Sequence, residues 1–295
     1  MNGFIGVLLV VLMIAVYSVH GIFLKKFNEF YPGDERDSSL SYTTILGIIV
    51  ALISFAVSGF KFKFSLDCLI LGVVCGLLVT AYNFSLSKAI ESGPYSVSTI
   101  FQLSGGILVP LFATMVAFGE FPSWLQLIGI AVMFVAFVLI CLNFKEKSTV
   151  QKGFYVAAAF VFLSNGFASF VMALADRVEE GAYSKEFVVI TYVVSSLSSF
   201  IILLVTKRGK PLAAFRQTPM STLFAVLGSL SIAGGINLLM VCLRFVSESV
   251  LFTVQNGGVL VLSGILSMII FKEKISLQKW IGIAIAAVSM ALLAM

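Results

Sequence analysis

The chain is predicted to be an all-α integral membrane protein, with ten transmembrane helices in two inverted five-helix repeats. Three observations predict this. Of 295 residues, 60% are hydrophobic and only 11% are charged, against about 25% charged in a soluble globular chain. No soluble core of this length hides so much apolar surface, so the solvent must be lipid. The 14 acidic and 19 basic residues fall in connections or near the ends of apolar runs, as the cost of a charge at the bilayer centre requires. Finally, polar residues and glycines recur at one fixed offset along the chain.

A membrane-crossing helix needs about 20 mostly apolar residues, and ten stretches qualify. The first, 4–24, exceeds an ordinary signal-peptide core and is followed by Lys25 and Lys26, so an uncleaved helix is expected. A connection carrying the turn signal Pro32-Gly33-Asp34 separates it from the second, 41–60. The third, 66–88, lies between Lys63 and Lys88. The fourth and fifth, 95–118 and 124–144, close the first half. The sixth to tenth are 153–175, 187–206, 220–243, 249–271 and 277–294. Trp124 and Trp280 stand at the starts of the fifth and tenth, as an interfacial aromatic belt predicts. The runs are too long and continuous for barrel strands of about ten alternating residues.

The net charge of +5 orients the chain rather than binding nucleic acid. Connections after odd-numbered helices hold fourteen Lys and Arg, and those after even-numbered helices hold Lys61, Lys63, Arg177, Lys185 and Arg244. The positive-inside rule places the odd connections in the cytoplasm and both termini outside a cell membrane that the chain crosses many times.

The repeat carries the functional reading. At one offset Glu120 meets Glu273, Gly129 meets Gly282, Gln102 meets Gln255, Gly105 meets Gly258 and Ser96-Val97 meets Ser249-Val250; with one residue of slippage Asn83 meets Asn237. The repeats are 1–147 and 148–295. Five helices per repeat invert the second relative to the first, and inverted repeats are a hallmark of secondary transporters.

An apolar helix, then Gly-Glu or Lys-Glu, a polar turn and a glycine-containing last helix occur twice, at Phe118-Gly119-Glu120 through Gly129 and Phe271-Lys272-Glu273 through Gly282. This pattern resembles the EamA type of the drug/metabolite transporter superfamily over essentially the whole chain. The resemblance implies a ten-helix carrier of a small metabolite. Members commonly keep both termini in the cytoplasm, whereas the loop charges here point the other way. Many members carry Trp-Gly in the first helices where this chain has Tyr17-Ser18-Val19-His20-Gly21.

In an inverted-repeat carrier the site lies near the midplane, where interrupted segments in corresponding positions point to it. Gln102, Ser104, Gly105, Gly106 and Pro110 in the fourth helix, with Gln255, Asn256, Gly257 and Gly258 in the ninth, are such segments. The glycines serve either as interruptions beside the lumen or as packing positions. The glutamines contact either solute or neighbouring helices. Asn83 with Tyr82, and Asn237, have the same two readings. Gly72 and Gly76 read as packing. His20, with Asn165 as its positional counterpart, is either a proton relay or a packed histidine. Glu120 and Glu273 fix turns, and Arg244 and Glu248 are expected to pair.

No mid-membrane carboxylate is present to trade an organic cation for protons, so a neutral or zwitterionic solute such as an amino acid is expected, held by amides, hydroxyls and aromatics. Carriers of lipid-linked or nucleotide sugars, or of drugs and organic cations, are the alternatives. Cys68, Cys75, Cys141 and Cys242 have no metal or CxxC spacing, so no metal, disulfide or cofactor is expected. Intramembrane enzymes lack their motifs here, and a channel would conduct without saturation. The expected partners are the small-molecule solute and the lipid bilayer, with the chain a monomer or homodimer.

Overall fold

The computed structural model describes residues 3–63, 65–93, 95–119, 121–141, 153–207, 214–215, 217–271 and 276–293. Among these are ten α-helices and no strand: α1 (Gly3–Phe30), α2 (Glu35–Val57), α3 (Leu66–Ser92), α4 (Tyr95–Phe118), α5 (Trp124–Cys141), α6 (Phe154–Arg177), α7 (Ser184–Thr206), α8 (Pro219–Cys242), α9 (Glu248–Phe271) and α10 (Leu277–Leu293). One 3-10 turn, Val178–Gly181, joins α6 to α7. Every expected apolar run is one helix. Seven are long and apolar enough to cross a membrane, while α5, α9 and α10 carry shorter apolar stretches over their described residues. Glu120, Lys272 and Glu273, expected at turns, lie outside the described residues.

Two boundaries differ from the expected ones by six residues, for the same reason: hydropathy detects only the part that crosses hydrocarbon. α1 continues past Lys25 to Phe30, and Lys26 closes a helical ion pair with Glu29 at 2.7 Å, so its charge rides on the helix surface. α2 begins at Glu35 because its polar first turns satisfy themselves. Ser41 donates to the Ser38 carbonyl, and Thr43 and Thr44 donate to carbonyls four residues back.

The packing partners of the helices close a ring. Its order is α1, α8, α2, α7, α3, α6, α4, α9 and back to α1, with α5 and α10 paired outside α4 and α9. Around this ring, helices from residues 1–147 alternate with helices from residues 148–295. Neither stretch is a bundle of its own, because each helix packs chiefly against helices of the other stretch.

Lipid offers no hydrophobic drive for helix association, so small residues that let backbones approach do the work. Gly105 of α4 lies against the Phe162 carbonyl of α6, and its repeat mate Gly258 of α9 lies against Ile14 of α1. Gly72 and Gly76 of α3 lie against Ile190, Thr191 and Val194 of α7. The large interior cluster includes Met13, Phe27, Val50, Cys75, Phe187 and Phe252. The ring's outer surface exposes Val7, Leu52, Phe112, Val116 and Ile201, a composition that fits lipid rather than water. Trp124 and Trp280 are exposed and open α5 and α10, which start at opposite faces of the bundle, one in each interfacial belt.

Candidate functional site

The face reached by the ends of α1, α3, α5, α7 and α9 is called the odd face below, and its opposite the even face. Near mid-depth, α4, α6 and α9 meet at Gly106. The amide nitrogens of Asn165 on α6 and Asn256 on α9 lie 2.9 and 3.2 Å from where a Cβ would stand on this glycine. Asn165 Nδ2 donates to the Gln102 carbonyl at 2.8 Å, and Asn256 Nδ2 donates to the Phe252 carbonyl of its own helix at 2.7 Å.

Pro110 lies inside α4. It has no N–H to give the carbonyl four residues earlier, which belongs to Gly106. Two carboxamides and a carbonyl released from its helical bond therefore converge where glycine leaves room. Such a cluster in lipid can bind a polar solute by donors and acceptors without any net charge.

α4 and α9 are nevertheless continuous helices through Gly105-Gly106, Pro110 and Gly257-Gly258. These positions are close-approach points rather than breaks, with Gly257 against Met133 of α5. Ser104 is buried beside them.

The two glutamines are not brought together. α4 starts at the odd face and α9 at the even face, and each glutamine stands about 10 Å into its helix at 1.5 Å per residue. Over 24-residue helices this leaves them about 15 Å apart in depth. Among the described residues, neither side chain has a hydrogen-bond partner.

The two asparagines matched by the repeat also differ. Asn237 of α8 donates to the Ser54 hydroxyl of α2 at 2.9 Å and to the Ala233 carbonyl at 2.8 Å, so it bridges two neighbouring ring helices. Asn83 has no such bridge among the described residues. On α3 the bridge is made by Thr80, to Ser195 of α7 at 3.3 Å. Tyr82 packs on the cluster of Ala89, Phe154, Ala158 and Val161.

Because α1 extends to Phe30, His20 is deeper than its place before Lys25 suggests, about 15 Å from the odd-face end of α1. Its ring centroid is 5.9 Å from that of Tyr42 on α2.

The even face is knitted by charge. Glu248, at the start of α9, pairs with Arg177 of α6 at 2.6 Å, and Arg177 lies 3.7 Å from the centre of the Phe118 ring of α4. Arg244 pairs instead with Asp176, at 3.8 Å, and donates to the Gly181 carbonyl at 2.6 Å. The expected pairing of Arg244 with Glu248 is therefore replaced by two pairs to α6. Arg244 lies in the turn after α8 and reaches the α6–α7 connection, leaving Glu248 to the end of α6. At the odd face Lys207 pairs with Asp37. The hydrogen bond that the Lys207 ammonium donates to that carboxylate holds it above its ordinary pKa. Burial raises the Tyr31 phenol above its own, and Tyr31 donates to the Ala214 carbonyl at 2.7 Å.

Along the chain Asn165 stands out only as the positional counterpart of His20, and Tyr42 does not stand out. The Ser164-Asn165-Gly166 run inside an apolar helix was the available signal for the first. Nothing along the chain marked the second.

Residues 155–295 match the model of the EamA-like transporter family. Comparison with curated proteins finds no match. Twenty-nine chains of solved structures match. One, described only as "Crystal structure of protein", superimposes with a TM-score of 0.66 at 16% identity, over 98% of this chain and 96% of that one. It shares the fold.

Proposed function

Proceeding from a multi-pass helical membrane protein whose residues 155–295 carry the EamA-like transporter pattern of the drug/metabolite transporter superfamily, we propose that the whole chain is a secondary transporter working by alternating access. Residues 1–147 and 148–295 act as its two inverted repeats. Its cargo is a small neutral or zwitterionic metabolite, such as an amino acid.

The observation that carries this reading is the exchange of contacts between the two stretches. α1 packs on α8 as α6 packs on α3, and α4 on α6 as α9 on α1. A ring built from such pairs has two arrangements of nearly equal energy, related by swapping the roles of the stretches, and alternating access needs two such states. The Asn165–Gly106–Asn256 cluster supplies neutral hydrogen-bonding groups, which supports an uncharged or zwitterionic solute over an organic cation. Gln102 and Gln255, at separate depths, serve the two halves of the path in turn.

Two measurements on purified, reconstituted protein test this. A thermal-shift screen of amino acids, nucleobases, sugars and quaternary amines should find one class that raises stability by mass action. Counterflow of that class in proteoliposomes should saturate. Flux that stays linear with concentration would sink the carrier reading in favour of a channel. Stabilisation by quaternary amines alone would replace the neutral or zwitterionic cargo with a cation.

A further inference from the structure

Among the described residues, four buried polar atoms within the membrane-spanning helices have no hydrogen-bond partner: the hydroxyls of Thr191 and Ser199 on α7, Nε2 of His20 and the hydroxyl of Tyr42. The last two stand apart because both come from large rings on different helices. They belong to neighbouring rings on α1 and α2. The two helix backbones flank α8 in the ring and stay apart, while side chains reach across between them, as in the Phe27–Tyr42 ring contact at 5.0 Å. Side chains from α1 and α2 can meet while buried only on the inner face of α8, since its outer face has no neighbour. Tyr42 is 5% exposed, and its hydroxyl stands where a side chain on Gly228 of α8 would be. His20 continues an inward stripe of α1 formed by Met13, Tyr17, Leu24 and Phe27, spaced three or four residues apart. Its depth matches that of Asn165 and Gly106, each about 16 Å from the odd face.

A polar atom buried without a partner is costly, and two on neighbouring rings mark a place where a partner is to be supplied. Both groups can donate a hydrogen bond. The titratable groups around His20 are Tyr17, one turn back on its own helix, and Tyr42 on α2; Tyr192 on α7 stands beyond Tyr17, and Lys25 is more than a turn further on. α8 carries no charged residue. The one charge of α9, Glu248, is at the even face with Arg177. Among the described residues no carboxylate bonds to either group, and Asp37, the carboxylate of α2 nearest Tyr42 along the chain, pairs with Lys207. We propose that His20 and Tyr42 form the subsite for the carboxylate end of the transported solute, and that a proton from solvent enters with it onto the imidazole. The imidazolium and the carboxylate then cross the low-dielectric interior as a pair with no net charge of its own, avoiding the cost of an isolated carboxylate. This rests on the carrier reading above and adds to it a solute class and a coupled proton.

The chain has one histidine, so protein labelled with 15N-histidine and held in nanodiscs gives one imidazole signature. The probes are acetate and butyrate, each beside its neutral amide. At pH 7 the carboxylates should convert the imidazole to its doubly protonated form, and the amides should leave it neutral. Tyr42→Phe keeps the ring and removes one charge-assisted hydrogen bond, so it should raise the half-saturating concentration about tenfold. Its melting temperature should stay near wild type. An imidazole that exchanges with water but ignores every carboxylate overturns the proposal, with a buried water as the sole partner. Equal responses to acid and amide, or an unaltered Tyr42→Phe response, overturn it too. Counterflow on the same preparation tests the carrier reading separately, so a silent imidazole with saturable exchange removes the subsite alone.

Discussion

Gly129 and Gly282, which stand at the same position of the repeat, each pack against the helix that carries the other. A Cβ on Gly129 would lie 2.9 Å from Leu293 and 3.4 Å from the Ser289 carbonyl. One on Gly282 would lie 2.7 Å from Ile140 and 3.2 Å from the Ala136 carbonyl. Leu293 and Ile140, and Ser289 and Ala136, are themselves separated by the repeat offset. The α5–α10 pair is thus related to itself by a local two-fold axis, and Ser289 ties it by donating to the Gly129 carbonyl at 2.6 Å.

This geometry predicts a graded series of glycine substitutions. Gly129→Ala and Gly282→Ala should each destabilise the protein by about 1–3 kcal/mol, the usual range for overpacking. Gly105→Ala should be worse, because a Cβ there meets the Phe162 backbone, which cannot rotate away. Gly21→Ala meets nothing within 4 Å and should be close to neutral. Thermal melting in one detergent gives the order, and equal losses at Gly21 and Gly105 would contradict the packing assignment.

Asn165 and Asn237 should separate solute contact from helix bridging. Asn165→Ala is expected to weaken solute-induced stabilisation and to raise the half-saturating concentration in counterflow. Asn237→Ala loses a bond to Ser54 and should cost about 1 kcal/mol of stability while leaving that concentration unchanged. The reverse result would move the site from α4, α6 and α9 to α2 and α8.

The even-face pairs should behave as one latch. Glu248→Gln removes the carboxylate charge that Arg177 contacts with two nitrogens, and a loss of about 1–3 kcal/mol is expected, below the full cost for a wholly buried pair. Arg177→Lys keeps the charge but loses both the two-nitrogen contact to Glu248 and the flat stacking on Phe118, so it should not restore wild-type melting. A Lys variant as stable as wild type would show that charge alone matters there.

At the odd face, the Lys207 pKa is raised by Asp37. A cationic group whose folded pKa is raised stabilises the fold while it is protonated, and that contribution disappears as pH climbs through the raised value. Wild-type melting temperature should therefore fall above pH ~10 more steeply than that of Asp37→Asn. Parallel alkaline profiles would count against the pair.

Orientation is open to direct labelling. With the Lys-rich odd face in the cytoplasm, Lys61→Cys should react with a membrane-impermeant maleimide on intact cells, and Glu29→Cys should react only after permeabilisation. Native Cys68, Cys75 and Cys242 are buried and should stay silent. The opposite pattern would put both termini inside.

The amino-acid sequence by itself determined the helices, their number and their alternation across the bilayer. Those features depend on local composition: an apolar run either is or is not long enough to cross hydrocarbon, and charges either avoid its middle or do not. It also exposed the repeat, through Gln102 with Gln255 and Gly129 with Gly282. Only the tertiary structure decided what each matched residue touches. Gln102 and Gln255 look like one paired site along the chain, yet inversion sends their helices in opposite directions and parts them in depth. Asn237 found a hydroxyl on α2, while Asn83, its match, has none among the described residues. Asn165 and Asn256 meet at Gly106, and His20 meets Tyr42, because the ring interleaves the two stretches. Neighbours there are set by which helix faces bury against each other across the whole bundle, and no local window of sequence contains that choice.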